Sequence, residues 1–224
     1  MMMNLFSTFD PTSSLGPSLN WTSSAILFIM IPFMFWFMPS RFLMIWLKLC
    51  TSMHKELKTI VKNQNHFSKT LIFTSLLMFI MTNNFMGLFP YIFTSTSHLN
   101  FNLYLSVPLW FSFITFGWIN NTIHMLAHSV PQGTPTSLSP FLVIVETISN
   151  IIRPGTLAIR LTANMIAGHL LIVLLSNSGP FLSTSLLGIL IPSQIILLTL
   201  ESAVSIIQSY VFMILVTLYS EEVV

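Results

Sequence analysis

Residues 141–176 are some 36 residues of largely apolar sequence broken only by Pro154-Gly155. As a helix rising 1.5 Å per residue, they would be about 54 Å long, against roughly 30 Å of hydrocarbon in a bilayer. A second overlong apolar segment, 181–219, follows the turn sequence SNSGP at 176–180. Two such segments joined by a tight turn predict a long hairpin lying steeply tilted in a membrane.

The rest of the chain agrees with a membrane setting. Of its 224 residues, 54% are hydrophobic and only 6% charged, where a soluble domain carries about 25%. In lipid only helices and closed barrels satisfy the backbone, and these runs are long and do not alternate, so helices are expected. The expected fold class is all-α: a polytopic membrane protein, one membrane domain over 1–224, with about five membrane helices and one interfacial amphipathic helix. Besides the hairpin, spans are expected at 22–38, with a kink at Pro32, at 70–92 and at 104–127. STSHLN at 95–100 reads as a turn, and 128–140 as a Pro/Gly/Ser/Thr loop. Arg41–Lys69 holds six of the eight basic residues, which places it on the non-translocated side and the N-terminus on the other. Within it, Leu43–Val61 has the pattern of an interfacial amphipathic helix. The first residues lack a basic n-region and carry Asp10, so no secretory signal is expected. A lone cysteine, Cys50, excludes an internal disulfide framework.

The polar residues inside the hairpin mark a candidate site. Glu146, Asn150, Arg153, Arg160 and Asn164 are spaced 4, 3, 7 and 4 apart, within one stripe of a helix. Charges are expensive in hydrocarbon, so this stripe is expected to face protein or water. Arg160 lies about 21 Å along the helix from Glu146, and His169 about 13 Å beyond Arg160. His169 is half a turn round from Arg160, so aiming both at one point needs a bend or a second facing helix. Glu201, Ser205 and Gln208 form a polar stripe on the last segment. Residue counting from the turn places Glu201 level with about Ile152, and leaves open whether it meets His169 or Arg160. Glu221 and Glu222 lie at the far end of that segment.

Glu and His titrate in a range that neighbours can bring near neutral pH. Arginine stays charged and bars proton passage at its position. Carboxylates and an imidazole on both sides of a permanent cation describe two half-channels with a barrier between them. Interhelical hydrogen bonding alone is an equally open reading of Asn150, Ser205 and Gln208.

RPGTLAIRLTANMIAGHLL at 153–171 resembles the signature of the a subunit of F-type ATP synthases, mitochondrial type. LESAVSIIQSYVF at 200–212, NNFMGLFPY at 83–91 and HSVPQGTP at 128–135 resemble the same family. The resemblance covers nearly the whole chain. It implies a non-catalytic, proton-conducting stator subunit in the mitochondrial inner membrane, with the N-terminus in the intermembrane space and the C-terminus on the matrix side. The implied partners are the c-subunit ring, the peripheral stalk and other membrane-sector subunits, the lipid bilayer and protons, with no nucleic acid and no cofactor. By motif match, Arg160 takes the place of the family's essential arginine and Asn164 of the asparagine one turn later. His169 and Glu201 match a pair whose residue types are exchanged in bacterial members. Gln208 matches a glutamine two turns beyond, and Glu146 and Glu222 fall where matrix-side carboxylates occur. The SEEVV ending offers Glu221 beside Glu222.

A stand-alone ion channel or secondary transporter is the rival reading, but neither inverted repeats nor helices broken at matched positions are evident. His124 and His128 are an i,i+4 pair with metal-ligand spacing, yet no further Cys/His cluster joins them, so no metal site is expected. No P-loop, nucleophile elbow or dinucleotide fingerprint is present.

Overall fold

The computed structural model describes residues 5–12, 18–32, 37–61, 67–130, 135 and 137–222. Short 3-10 turns at Leu5–Phe9 and Leu19–Ala25 lead into α1, Ile26–Met30. There follow α2 (Arg41–Ile60), α3 (Phe67–Gly87), a 3-10 turn at Ser95–Ser97, α4 (Leu99–Asn120) and α5 (Thr122–His128). The chain ends in α6 (Ser139–Ser178), a 3-10 turn at Gly179–Phe181 and α7 (Thr184–Glu222). Among the described residues α3, α4, α6 and α7 are long and apolar enough to cross a membrane. The expected span at 22–38 is described only in part, because 33–36 lie outside the described residues. So do 131–134 and 136 of the expected loop.

Both long helices far exceed the roughly 20 residues that a straight membrane span needs. With 40 residues in α6 and 39 in α7, each is nearly 60 Å long. α6 continues through Pro154, which is buried against the bundle. Proline removes one i→i−4 hydrogen bond, but here it does not end the helix.

α2 begins at Ser40, whose hydroxyl accepts from the Leu43 N–H at 3.3 Å, a helix N-cap. Its apolar stripe of Trp46, Leu49, Cys50, Met53 and Leu57 packs against the core, while Phe42 and Ile45 remain exposed. The amphipathic helix therefore docks on the bundle as well as presenting an apolar margin outward. Leu57 is joined in the core by Phe73, Leu77 and Ile80 of α3, Leu157 and Leu161 of α6, and Phe212, Met213 and Val216 of α7.

The α3–α4 connection differs from its expected outline. α3 ends at Gly87 rather than at 92, and α4 starts at Leu99 rather than at 104. A Cβ on Gly87 would lie 2.9 Å from Thr94 Cγ2 and 3.6 Å from Met165 Cε. Absence of that carbon lets the connection fold back against α6, and Thr94–Ser97 are buried there. A polar stretch that reads as an exposed turn is thus packed inside. Asn102 ties it down: its amide donates to the Thr96 carbonyl at 2.8 Å and to Thr162 Oγ1 of α6 at 2.9 Å. Trp21, Phe93 and His98 form an aromatic cluster beside it. The third expected span, 104–127, is divided: α4 stops at Asn120, and His124 and His128 lie on the separate α5.

Candidate functional site

α6 and α7 are antiparallel and are joined by three polar contacts. Near one end Arg153 of α6 forms an ion pair with Glu222 of α7. In the middle the Asn164 amide donates to Gln208 Oε1 at 3.0 Å. Toward the turn, His169 Nε2 stands 3.7 Å from Glu201 Oε1. On α7 the residues 201, 208 and 222 advance by 7 and 14, whole numbers of turns to within about 40° at 100° per residue, so they share one stripe. On α6 Asn164 and Arg153 also share a stripe, but His169 lies roughly 140° round from Asn164. The stripe of α7 therefore passes from one face of α6 to another, and the second helix meets both faces that a straight α6 could not aim together.

The pairing of Glu201 with His169 resolves what residue counting left open. Nine residues separate His169 from Ser178, the end of α6, whereas seventeen separate Thr184 from Glu201. The hairpin closes asymmetrically, so equal-length counting shifts Glu201 too far along α6. Glu201 is 5% exposed and His169 18%. Neither carboxylate oxygen nor His169 Nε2 has a hydrogen-bond partner among the described residues. Ser205, one turn on, is buried, and its hydroxyl donates to the Ser202 carbonyl of its own helix at 2.7 Å.

Arg160 is exposed, as is Asn164 beside it, and Arg160 forms no ion pair among the described residues. The opposite face of α6, carrying Leu157, Ala158, Leu161, Thr162 and Met165, is the buried one. On the same outward side of α6 the small side chains Ala163 and Ala167 are exposed, and so is Ala203 of α7. The cation thus faces out of this chain.

Arg153 gathers the acids at the other end. Besides Glu222 it lies 3.7 Å from Glu146 Oε1, two turns back on the same helix, and its guanidinium sits 5.1 Å from the centre of the Tyr219 ring, within cation–π range. Glu146, Glu222 and Arg153 are therefore one cluster. Glu221 is not part of it; its Oε1 is buried without a partner among the described residues. Sequence reading placed Arg153 on the stripe without giving it a site role, although its spacing of seven from Glu146 was a signal for the contact.

Two cavities reach the two ends. A cavity of about 1490 Å³ is lined by His169 together with Phe9, Asp10 and Asn20. A smaller one of about 260 Å³ is lined by Asn150, Arg153, Tyr219 and Glu222. His124 and His128 stack loosely with ring centroids 6.4 Å apart, and among the described residues no third His, Cys, Asp or Glu completes a metal site with them.

The model of the family described as ATP synthase A chain matches residues 17–221. The chain belongs to the ATP synthase A chain family. It is 59% identical over 223 residues to the ATP synthase subunit a of Drosophila melanogaster. It is 60% identical over 225 residues to that of Anopheles gambiae, and 58% identical over 224 residues to that of Locusta migratoria. Each match covers 100% of both chains. The all-helical, polytopic architecture expected from the sequence is the one observed. The nine residues singled out as a proton pathway fall into three groups: Glu201, His169 and Ser205 toward the turn, Arg160, Asn164 and Gln208 in the middle, and Glu146, Asn150 and Glu222 at the opposite end. Unforeseen in sequence were Arg153 as the organiser of the last group, Gly168 beneath Glu201, and Tyr210, whose hydroxyl donates to Glu56 of α2 at 3.1 Å.

Proposed function

We propose that this chain is the proton-conducting stator subunit of the membrane sector of a mitochondrial F-type ATP synthase, sited in the inner membrane. The observation that carries the reading is the separation of two polar groups, each reached by its own cavity, on either side of the outward-facing Arg160. Six basic residues in Arg41–Lys69 place that segment in the matrix, by the positive-inside rule. The His169 end then faces the intermembrane space, as does the N-terminus, and the C-terminus lies toward the matrix.

A proton enters through the larger cavity and passes between His169 and Glu201. Their 3.7 Å separation exceeds hydrogen-bond reach, and a small side-chain rotation closes it. The partner that receives the proton is a carboxylate on the rotating ring of c subunits, which meets the face carrying Arg160, Asn164 and the exposed alanines. Protonated, that carboxylate can turn into lipid at low cost. After its circuit the proton leaves by the Glu146–Asn150–Glu222 side. Arg160 attracts the ionised carboxylate and blocks direct passage between the two sides, because it does not release its own proton. Asn164 and Gln208 hold α6 to α7 at the level of that barrier. The chain carries out no nucleotide chemistry itself; the peripheral stalk and other membrane-sector subunits hold it against rotation.

Glu201→Gln tests this reading. It keeps shape and removes the titration, so proton-driven ATP synthesis in membrane vesicles should fall at least tenfold with the complex assembled. Normal synthesis would reduce Glu201 to a packing group.

A further inference from the structure

We propose that Phe9, in the N-terminal turn Leu5–Phe9, is a positioning residue for His169, setting the imidazole at the angle from which it faces Glu201. This rests on the reading of the His169 side as the proton access route. The Phe9 ring meets the His169 ring edge to face, with centroids 6.3 Å apart and planes at 85°, inside the range in which aromatic pairs attract. Phe6 of the same turn is 67% exposed, whereas Phe9 is partly buried, so the turn directs one of its two phenylalanines inward.

The segment that carries Phe9 is fastened at several points. Thr8 Oγ1 donates to the Leu5 carbonyl at 3.1 Å, and Asp10 Oδ1 accepts from the Thr12 N–H at 3.1 Å. Asn20 Nδ2 donates to the carbonyls of Asp10 at 3.5 Å and Thr12 at 3.3 Å. Three residues beyond Asn20, Ser23 Oγ donates to the Phe93 carbonyl at 2.9 Å. The N-terminal turn is thereby linked to the buried connection after α3, and Phe9 is presented to His169 from a held backbone.

His169 has need of such a neighbour. Its Nε2 lacks a hydrogen-bond partner among the described residues, and the second torsion of a histidine side chain is soft. A histidine that relays protons is commonly oriented by a contact on its other side. The titratable groups about it are Glu201 on α7, with Asp10 and Tyr91 lining the same cavity.

The test is a double-mutant cycle in the assembled complex: the unmodified chain, Phe9→Ala, His169→Ala and both together, with ATP synthesis in vesicles normalised to complex content. Phe9→Ala should lower synthesis several-fold, and Phe9→Tyr, which keeps the ring, should retain at least half the rate. In the His169→Ala background Phe9→Ala should add nothing, because a group acting through His169 has no second route. Equal fold-losses in both backgrounds, or no loss from Phe9→Ala, would overturn the proposal and leave the access route standing. A normal rate in His169→Ala would instead overturn the access reading. If Phe9→Ala does not assemble, Phe9→Leu takes its place in the cycle. If His169→Ala leaves no measurable rate, the pH profile on the access side decides. A displaced midpoint in the Phe9 variant supports the positioning role, and a lower rate with an unmoved midpoint refutes it.

Discussion

Gly168 of α6 and Glu201 of α7 touch: a Cβ built on Gly168 would stand 2.6 Å from Glu201 Oε1 and 2.7 Å from its Cδ. Glycine in a helix costs about 0.5–1 kcal/mol relative to alanine, and here the missing carbon makes room for a buried carboxylate. Because Gly168 precedes His169, one turn of α6 supplies both the space for Glu201 and the imidazole that faces it.

Gly168→Ala should therefore separate assembly from transport. The atom it meets is the end of a flexible side chain, so the carboxylate can swing away while the helix pair holds. A displacement of about 1 Å at a reacting group can lower a rate on the order of a hundredfold. Assembled complex should be present at near-normal level, with ATP synthesis reduced at least tenfold. Normal synthesis at normal assembly would show that the carboxylate works equally well from its displaced position.

The order and type of the long helices were legible because hydropathy over 20 or more residues is a strong signal. The edges of α3 and α4 were each misplaced by about five residues. Pro90 and the polar run after it carry the pattern of an exposed turn, whereas Thr94–Ser97 are buried through a close approach at Gly87 that no local pattern encodes. The candidate-site residues stand out in the sequence one by one, as charges and amides in apolar surroundings. Their pairing does not, since it depends on how unequally the hairpin arms extend from their turn. Phe9 gave no signal, being a phenylalanine in a chain with twenty of them.

Arg153→Gln should weaken transport without preventing assembly. The side chains of Arg153 and Glu222 are 27% and 41% exposed, and solvent-exposed ion pairs contribute only about 0–1 kcal/mol. What the substitution removes is the fixed position of Glu146 and Glu222 relative to each other. A few-fold loss of synthesis is expected, and a similar loss from Glu222→Gln. If the cluster works as a unit, the double variant loses no more than the worse single one. Losses that multiply would mean that the two residues act separately.

Arg160→Lys tests the proposed barrier itself. The substitution keeps a positive charge but loses the planar fork and the very high pKa. Arg160 lies exposed on this chain, without an ion pair among the described residues, so in the proposed reading the ring surface that meets it sets how dry its surroundings become. A lysine placed in low dielectric can give up its proton, and each pKa unit corresponds to about 1.4 kcal/mol. Once deprotonated, it could serve neither proposed role, barring protons or holding an ionised carboxylate of the ring. Coupled synthesis should thus be lost in Arg160→Lys, although the exchange conserves charge at neutral pH in water. Arg160→Ala should go further and admit a passive proton leak through the assembled complex, since no cation then separates the His169 side from the Glu146 side. Both quantities, synthesis rate and passive proton permeability, are measured in vesicles with the complex quantified. Near-normal synthesis in the lysine variant would show that a point charge suffices, and a tight alanine variant would place the barrier elsewhere in the assembly.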